Sequence, residues 1–82
     1  MMFYVYMLKG VNCKITKTYV GYTNNLKLRL KKHNSGTGAK STRGYKWKII
    51  YKKRFYDKRL AMSFEYKLKK DLKMRKYLLS VS

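Results

Sequence analysis

The segment NLKLRLKKHNSG, residues 25–36, decides the fold because its pattern fits two kinds of secondary structure. Leucines alternate with basic residues between positions 26 and 30, which is the period of a half-buried strand. Four residues also recur at i, i+3, i+4 and i+7, the spacing of one helix face: Leu26, Arg29, Leu30 and His33. In the helical interpretation, a guanidinium and an imidazole lie on the stripe that usually packs against a core.

The residues on either side of this segment favour the helix. Residues 23–25 (TNN) supply N-cap side chains directly before Leu26, and residues 34–36 (NSG) are typical of a helix end with a left-handed backbone. A strand requires neither signal. We therefore predict a helix in which the two leucines pack against the core while Arg29 and His33 border a cleft.

Three further segments predict the strands of a sheet. Residues 3–8 (FYVYML) and 18–22 (TYVGY) are aromatic and β-branched, and we expect them to pair antiparallel. Residues 47–55 (WKIIYKKRF) are a third strand candidate. Alternation along this strand puts three side chains on one side: Trp47, Ile49 and Tyr51. The expected fold class is α+β, a small three-stranded antiparallel sheet flanked by helices.

A second helix is predicted after Asp57, a residue that can cap a helix N-terminus. Four apolar residues then recur at every fourth position: Leu60, Phe64, Leu68 and Leu72. Leu78 and Leu79 are expected in a short terminal helix. These elements fit a single domain over residues 1–82, with Trp47 and Phe64 in its core.

The composition is that of a folded and strongly basic domain. With 22 Lys and Arg against 3 acids, the net charge is +19. A genome bias towards Lys is one source of this excess, but such a surface attracts phosphates whatever its origin. Nucleic acid is therefore the expected partner. A membrane-active cationic peptide is disfavoured because no long amphipathic surface helix is evident.

The single cysteine and the short apolar runs predict the compartment. Cys13 stands alone, which excludes a disulfide framework and suits a reducing environment. The run from Met2 to Leu8 is too short to cross a membrane and lacks a basic leader and a small-residue cleavage site. We expect an intracellular protein, cytoplasmic or nucleoid-associated, that is neither secreted nor bound to a membrane.

The three acidic residues restrict any metal chemistry to very few carboxylates. Asp57 is expected to cap a helix, and Asp71 lies among lysines near a helix end. Glu65 lies beside Phe64 in the middle of the second helix, where a carboxylate requires a cation. Two interpretations of Glu65 are open: a salt bridge to a lysine, or a Mg²⁺ ligand, since Mg²⁺ often takes one or two carboxylates and keeps its waters.

Basic and polar residues can complete a phosphate site. Arg29 can bind a phosphate bidentately. His33 can orient or transfer a proton, or it can be a half-exposed surface residue. Three residues of the loop at positions 35–44 (SGTGAKSTRG) suit contacts to a nucleic-acid backbone: Lys40, Thr42 and Arg43. The same composition also fits a solvated basic loop.

An ordered set of motifs resembles the GIY-YIG endonuclease family over residues 3–70. In chain order, this set of motifs consists of YVY (4–6), YVG (19–21), Arg29 and His33 on the next helix, and Glu65 on the second helix. It looks most similar to the small single-domain branch, which continues as GYTN (21–24), NSG (34–36) and AKSTR (39–43). Each motif alone is weak, whereas the ordered set is specific.

The resemblance implies a nuclease that cleaves DNA phosphodiesters with one divalent metal ion, Mg²⁺ or Mn²⁺. Glu65 matches the metal ligand of the family, and Arg29 matches the arginine that contacts the scissile phosphate. Tyr6 and Tyr19 match the tyrosines that position or deprotonate the attacking water. Their phenol pKa, ordinarily about 10, would have to fall, which a metal ion and a strongly positive field both favour.

Three departures from the family pattern bear on function. Tyr4 stands where the family name has glycine, and no asparagine follows Glu65 in residues 66–82. We also expect no zinc-binding or helical specificity domain of the kind that larger members append. Substrate choice is therefore expected from this domain or from a protein partner. We expect a structure-selective or weakly sequence-specific endonuclease of DNA repair or recombination, acting on branched, flapped, nicked or damaged DNA. The alternative is a basic nucleic-acid-binding module on the same fold without turnover.

Overall fold

The computed structural model describes residues 2–11 and 14–82 and has the predicted α+β architecture. Strands β1 (Phe3–Gly10), β2 (Thr18–Thr23) and β3 (Trp47–Phe55) form one antiparallel sheet in the order β2-β1-β3. Helices α1 (Leu26–Ser35), α2 (Lys58–Lys70) and α3 (Leu72–Ser80) flank the sheet, and a 3₁₀ turn (Lys40–Thr42) precedes β3. The prediction made for Cys13 lies outside the described residues.

The two faces of the sheet carry two separate clusters, because successive side chains of the central strand point to opposite faces. Val5 and Met7 belong to the larger cluster, which α2 and α3 cover: Val5, Met7, Val20, Ala61, Leu68 and Leu78. Tyr6 and Leu8 belong to the smaller cluster with Trp47, and partly buried Leu26 and Leu30 of α1 pack against it. The core positions predicted for Trp47 and Phe64 are confirmed.

The segment at residues 25–36 is a helix, and the strand interpretation is wrong. The Asn25 side chain caps it by accepting a hydrogen bond from the Leu28 N–H at 3.1 Å. The helix ends at Gly36, whose φ of 83° lies in the left-handed region that glycine adopts without strain. Leu26 and Leu30 pack against the sheet, as predicted.

The predicted face of β3 is wrong at one residue. Met7 pairs with Tyr51 and Leu8 pairs with Ile49, so Ile50 is an extra residue in the ladder, a β-bulge. Trp47 and Ile49 remain with the smaller cluster, but beyond the bulge Ile50 and Tyr51 both pack against the larger one. Strict alternation cannot anticipate this inserted residue.

The second helix is confirmed, but its predicted apolar stripe is wrong at both ends. Leu60 is exposed, and so is Leu72, which begins a separate helix capped by Asp71. For Leu60 the cause is helical geometry, because a four-residue step overshoots a full turn by about 40°; for Leu72 it is the end of α2 at Lys70. Ala61 and Leu68 are the buried positions of α2, with Phe64 packed beside them. Asp57 caps α2, as predicted.

Candidate active site

Two tyrosines share the sheet face that α1 covers. Tyr6 pairs with Gly21 and Leu8 pairs with Tyr19 in the β1–β2 ladder, which puts both phenol rings on one side. The ring centroids are 6.3 Å apart. A Cβ atom at Gly21 would lie 2.7 Å from Tyr6 Oη and 3.0 Å from Tyr19 Cε2. Glycine at position 21 therefore provides the space in which the Tyr6 hydroxyl lies.

Helix α1 directs its two polar stripe residues at the Tyr6 hydroxyl. His33 is fully buried, and its Nε2 atom lies 2.9 Å from Tyr6 Oη. The Arg29 Nε–H donates a hydrogen bond to the same oxygen at 3.4 Å. The other ring nitrogen of His33, Nδ1, lies 2.9 Å from Thr42 Oγ1. The interpretation of His33 as a half-exposed surface residue is therefore wrong, and the imidazole lies beneath the cleft instead of at its border.

Burial and hydrogen bonding set the protonation states of these groups at neutral pH. Burial raises the pKa of the Tyr6 phenol, an effect that the hydrogen bond from Arg29 partly opposes. Burial also lowers the pKa of His33, and the nearby Arg29 charge adds to this effect. The hydrogen bond with Tyr6 raises the pKa of Arg29. The structure thus holds a neutral phenol, a neutral imidazole and a guanidinium cation, and the pKa of Tyr6 shifts opposite to the fall expected from charge alone.

The three loop residues predicted to contact nucleic acid occupy different environments. Lys40 and Arg43 are exposed at the two ends of the 3₁₀ turn. Thr42 is fully buried between them, with its hydroxyl bonded to His33 and to the Ala39 carbonyl. The Thr42 side chain therefore has no access to a phosphate, and a direct phosphate contact from it disagrees with the structure.

Two residues that support this arrangement were missed by sequence reasoning. A Cβ atom at Gly38 would lie 2.7 Å from His33 Nδ1, so only glycine lets the loop pass this close to the imidazole. Asn34 joins α1 to β3 by donating to the Trp47 carbonyl at 3.1 Å and accepting from the Trp47 N–H at 2.6 Å. The available signals, GTG and NSG, predicted only a loop and a helix end.

Glu65 is the acidic residue that helix capping leaves available. Asp57 and Asp71 accept capping bonds from backbone N–H groups, whereas Glu65 lies within α2 with 17% of its side chain exposed. Lys69 Nζ lies 3.2 Å from Glu65 Oε1. The Glu65 charge is the smallest of the effects that act on the pKa of Tyr6, which burial mainly raises, so the carboxylate lies within electrostatic reach of the phenol. Both interpretations made for Glu65 therefore stay compatible with its position.

A groove lies beside Arg29, where β2 leads into α1. One pocket of about 370 Å³ is lined by Phe3, Tyr22, Thr23, Asn24, Arg29 and Lys58. A second pocket of about 200 Å³ is lined by Thr23, Asn24, Asn25, Leu28, Arg29 and Lys32. Arg29 lines both pockets, so its guanidinium can meet a ligand in the groove, and Lys32 and Lys58 add two cations to the walls.

The sheet with its flanking helices, and the contacts of Arg29 and His33 with the Tyr6 hydroxyl, can be compared with known protein families. Residues 2–78 match the family model of the GIY-YIG catalytic domain. The chain therefore belongs to the GIY-YIG catalytic domain family, a family of nucleases. Across residues 2–11 and 14–82, no helix is long and apolar enough to cross a membrane.

Several relatives carry the UPF0213 name. A UPF0213 protein of Clostridium perfringens is 52% identical over 68 residues, which cover 82% of this chain and 70% of the relative. A UPF0213 protein of Oceanobacillus iheyensis is 46% identical over 67 residues, covering 80% of this chain and 74% of the relative. The solution NMR structure of the UPF0213 protein BH0048 from Bacillus halodurans is 37% identical with a TM-score of 0.52, covering 100% of this chain and 86% of that chain.

Proposed function

We propose that this protein is a divalent-metal-dependent endonuclease that hydrolyses DNA phosphodiester bonds. The observation that carries the proposal is the Tyr6 hydroxyl, held 2.9 Å from His33 Nε2 and 3.4 Å from Arg29 Nε. A phenol between a neutral imidazole and a guanidinium is arranged for proton transfer, which nucleic-acid binding alone does not require. Membership of a nuclease family supports the same conclusion.

Tyr6 serves the attacking water in this proposal, with His33 behind it. As the water oxygen bonds to phosphorus, one water proton moves to Tyr6 Oη and the Tyr6 proton moves to His33. The bond from phosphorus to the leaving oxygen breaks, and that oxygen takes a proton from solvent. The net result is hydrolysis, with Tyr6 again carrying one proton and the imidazole holding the other until it returns to solvent. We assign the base role to Tyr6 instead of Tyr19 because the hydrogen bond to His33 belongs to Tyr6. Tyr6 is only 1% exposed in the free chain, so this role requires its hydroxyl to become accessible to water when the substrate binds.

Arg29 and Tyr19 are the other two residues that act in the proposed reaction. The Arg29 guanidinium stabilises negative charge as it develops on Tyr6 and on the phosphate, and it faces the groove through which the substrate strand enters. The Tyr19 ring lies 4.9 Å from the His33 ring, where it closes one side of the imidazole and orients the water. His33 itself has no direct contact with the substrate, because its side chain is fully buried.

The donor set fits a metal ion that keeps most of its own waters. Among the described residues, no three His, Cys, Asp or Glu side chains form a group that could hold a metal. Asp57 and Asp71 cap helices, so Glu65 would be the carboxylate ligand of Mg²⁺ or Mn²⁺. Its pair with Lys69 is an i,i+4 pair of the kind worth about 0.3–0.5 kcal/mol, so displacing the lysine costs little. When bound, such an ion supplies charge stabilisation at the scissile phosphate.

The proposed substrates are branched, flapped, nicked or damaged duplexes met in DNA repair or recombination. The cations around the groove, Lys32 and Lys58, are suited to phosphates, and phosphate contacts fix position without reading sequence. Exposed Lys40 and Arg43 are proposed to add backbone contacts of the same kind. Selectivity then comes from DNA shape or from a protein partner. Cleavage of labelled branched, flapped and linear duplexes, with an RNA duplex in parallel, measures this selectivity.

A nucleic-acid-binding module without turnover is the second candidate. Two observations favour it: Glu65 is already paired with Lys69, and no asparagine follows Glu65 in the sequence. The net charge of +19 serves both candidates equally. Supercoiled plasmid incubated with Mg²⁺ or Mn²⁺ separates them, because a nuclease nicks the plasmid in a chelator-sensitive way and a binder only shifts it on a gel.

The decisive variant is Glu65→Gln, with Lys69→Met as its matched control. Both substitutions remove the ion pair, but Lys69→Met keeps the carboxylate. We expect Glu65→Gln to bind DNA at least as well as the wild type and to nick plasmid at least ~10²-fold more slowly, because metal stabilisation is worth several kcal/mol. We expect Lys69→Met to keep cutting. Equal losses in the two variants would reduce Glu65 to an ion-pair partner, and wild-type nicking by Glu65→Gln would remove the metal assignment.

A further inference from the structure

We infer that Thr42 is a positioning residue whose hydroxyl fixes the tautomer of His33, so that Nδ1 carries the hydrogen and Nε2 can accept the Tyr6 proton. The catalytic consequence of this inference rests on the proposed function. The tautomer itself is a property of the folded chain and can be measured without any cleavage. Thr42 thus acquires a role different from the phosphate contact predicted for it.

The single hydrogen of the Thr42 hydroxyl is donated to the Ala39 carbonyl. Thr42 Oγ1 lies 2.7 Å from the Ala39 carbonyl oxygen, which can only accept, so the hydroxyl donates to it. With that hydrogen used, the same oxygen can only accept from His33 Nδ1, which lies 2.9 Å away. A hydrogen bond between them therefore requires an N–H at Nδ1. A neutral imidazole carries one hydrogen, so Nε2 presents a lone pair.

The hydrogen bonds at Tyr6 fit the same tautomer of His33. With a lone pair on Nε2, the Tyr6 O–H donates to His33 at 2.9 Å, and Tyr6 Oη accepts from the Arg29 Nε–H at 3.4 Å. In the opposite tautomer, Nε2–H and Arg29 would both donate to Tyr6 Oη. The Tyr6 hydrogen would then have no acceptor among the described residues. Leaving a buried donor unpaired costs about 1–3 kcal/mol, which favours the assigned direction.

Backbone hydrogen bonds hold Thr42 in place beside the imidazole. The Trp47 indole N–H donates to the Thr42 carbonyl at 2.9 Å, and the Thr42 N–H donates to the Ala39 carbonyl at 3.0 Å. Gly38 passes so close to His33 that even a methyl group there would collide with Nδ1. The 3₁₀ turn is therefore fixed against both β3 and the imidazole, and the acceptor for Nδ1–H cannot easily move away.

These contacts explain why a neutral side chain stands behind the histidine. The groups around the imidazole are Tyr6 from β1, Tyr19 from β2, Arg29 from α1 and Thr42 from the turn. A carboxylate in place of Thr42 would favour the imidazolium before reaction, when Nε2 must be free of hydrogen. A hydroxyl that is already donating selects the tautomer without adding charge.

The tautomer can be measured directly because His33 is the one histidine of the chain. We expect a long-range ¹H–¹⁵N spectrum of the wild type near pH 7.5 to show a protonated Nδ1 and an unprotonated Nε2. Thr42→Ser keeps the hydroxyl and should give the same spectrum. Thr42→Val has nearly the same shape without an acceptor, so Nε2–H should become populated. Nε2–H in the wild-type spectrum would overturn the assignment, whether or not either variant folds.

The same three proteins separate positioning from simple structural support. We expect Thr42→Val to cut plasmid at least ~10-fold more slowly, the factor that one ordinary hydrogen bond supplies, with DNA affinity unchanged. Thr42→Ser should restore cutting. A Val variant with a changed tautomer and wild-type cutting would overturn the catalytic consequence, and so would a Ser variant with the wild-type tautomer and no rescue. If the wild type cuts nothing, the proposed function fails while the spectrum still decides the tautomer.

Discussion

The two faces of β1 differ in what their buried side chains do. On the α2 and α3 side, Val5 and Met7 belong to a cluster whose buried members are all apolar. On the α1 side, the next residue along the strand, Tyr6, is hydrogen-bonded to a buried imidazole, which in turn is hydrogen-bonded to a buried threonine hydroxyl. A very small domain can therefore assign its apolar core and its Tyr6–His33 pair to alternate residues of one central strand. The proposed metal ligand, Glu65, comes from α2 on the other side.

If the two faces of β1 have these separate roles, the largest loss of cleavage is expected for Tyr6→Phe. The ring and its packing stay, but the proton path to His33 is lost, so cleavage should fall by ~10²-fold or more, the range of general acid–base catalysis. The unpaired Nε2 should lower stability only modestly. Tyr51→Phe removes a hydroxyl from the other face and serves as the control. Rapid plasmid nicking by Tyr6→Phe would mean that the α1 face is structural as well.

Substitution of Met7, the residue adjacent to Tyr6, should lower stability and leave cleavage unchanged. Met7 is fully buried in the apolar cluster, so Met7→Ala should lower the free energy of unfolding by about 2–5 kcal/mol. Cleavage per folded molecule, measured well below the melting temperature, should stay near the wild-type rate. Urea denaturation and plasmid nicking on one preparation check both expectations. A stable variant that has lost cutting would show that the two faces are coupled.

The smallest effect should be a change of stability with pH that comes from the α1 face. Burial lowers the pKa of His33 in the folded state, so below about pH 6.5 the unfolded chain binds more protons than the folded chain. Stability should therefore fall as the pH drops from about 7 to about 5, a range in which no other side chain has its ordinary pKa.

The matched variant for this measurement is His33→Gln, which cannot titrate. Its melting temperature should be lower overall but nearly constant over the same pH range. An equal pH dependence in the two proteins would mean that the imidazole does not cause it. The assignment of His33 as a buried neutral histidine would then be wrong.

Much of this structure could be predicted because its signals are local. The caps at Asn25 and Asp57, the stop at Gly36 and the aromatic strands act within a few residues of the chain, and all of them are confirmed. The errors arose where a pattern was extended beyond its local range. A single extra residue in β3 moved Tyr51 to the other face, and helical drift moved Leu60 out of the core.

The sequence by itself determined the order of the elements, the basic surface, and Glu65 as the acid that caps no helix, because composition and spacing carry these properties directly. The tertiary structure decided what the polar residues of α1 do. Tyr6 and His33 are 27 positions apart, and Thr42 reaches the imidazole from a turn that sequence reasoning assigned to the surface. Such contacts depend on how a helix and a loop pack on a sheet face, and packing over these distances leaves no periodic signal in the chain.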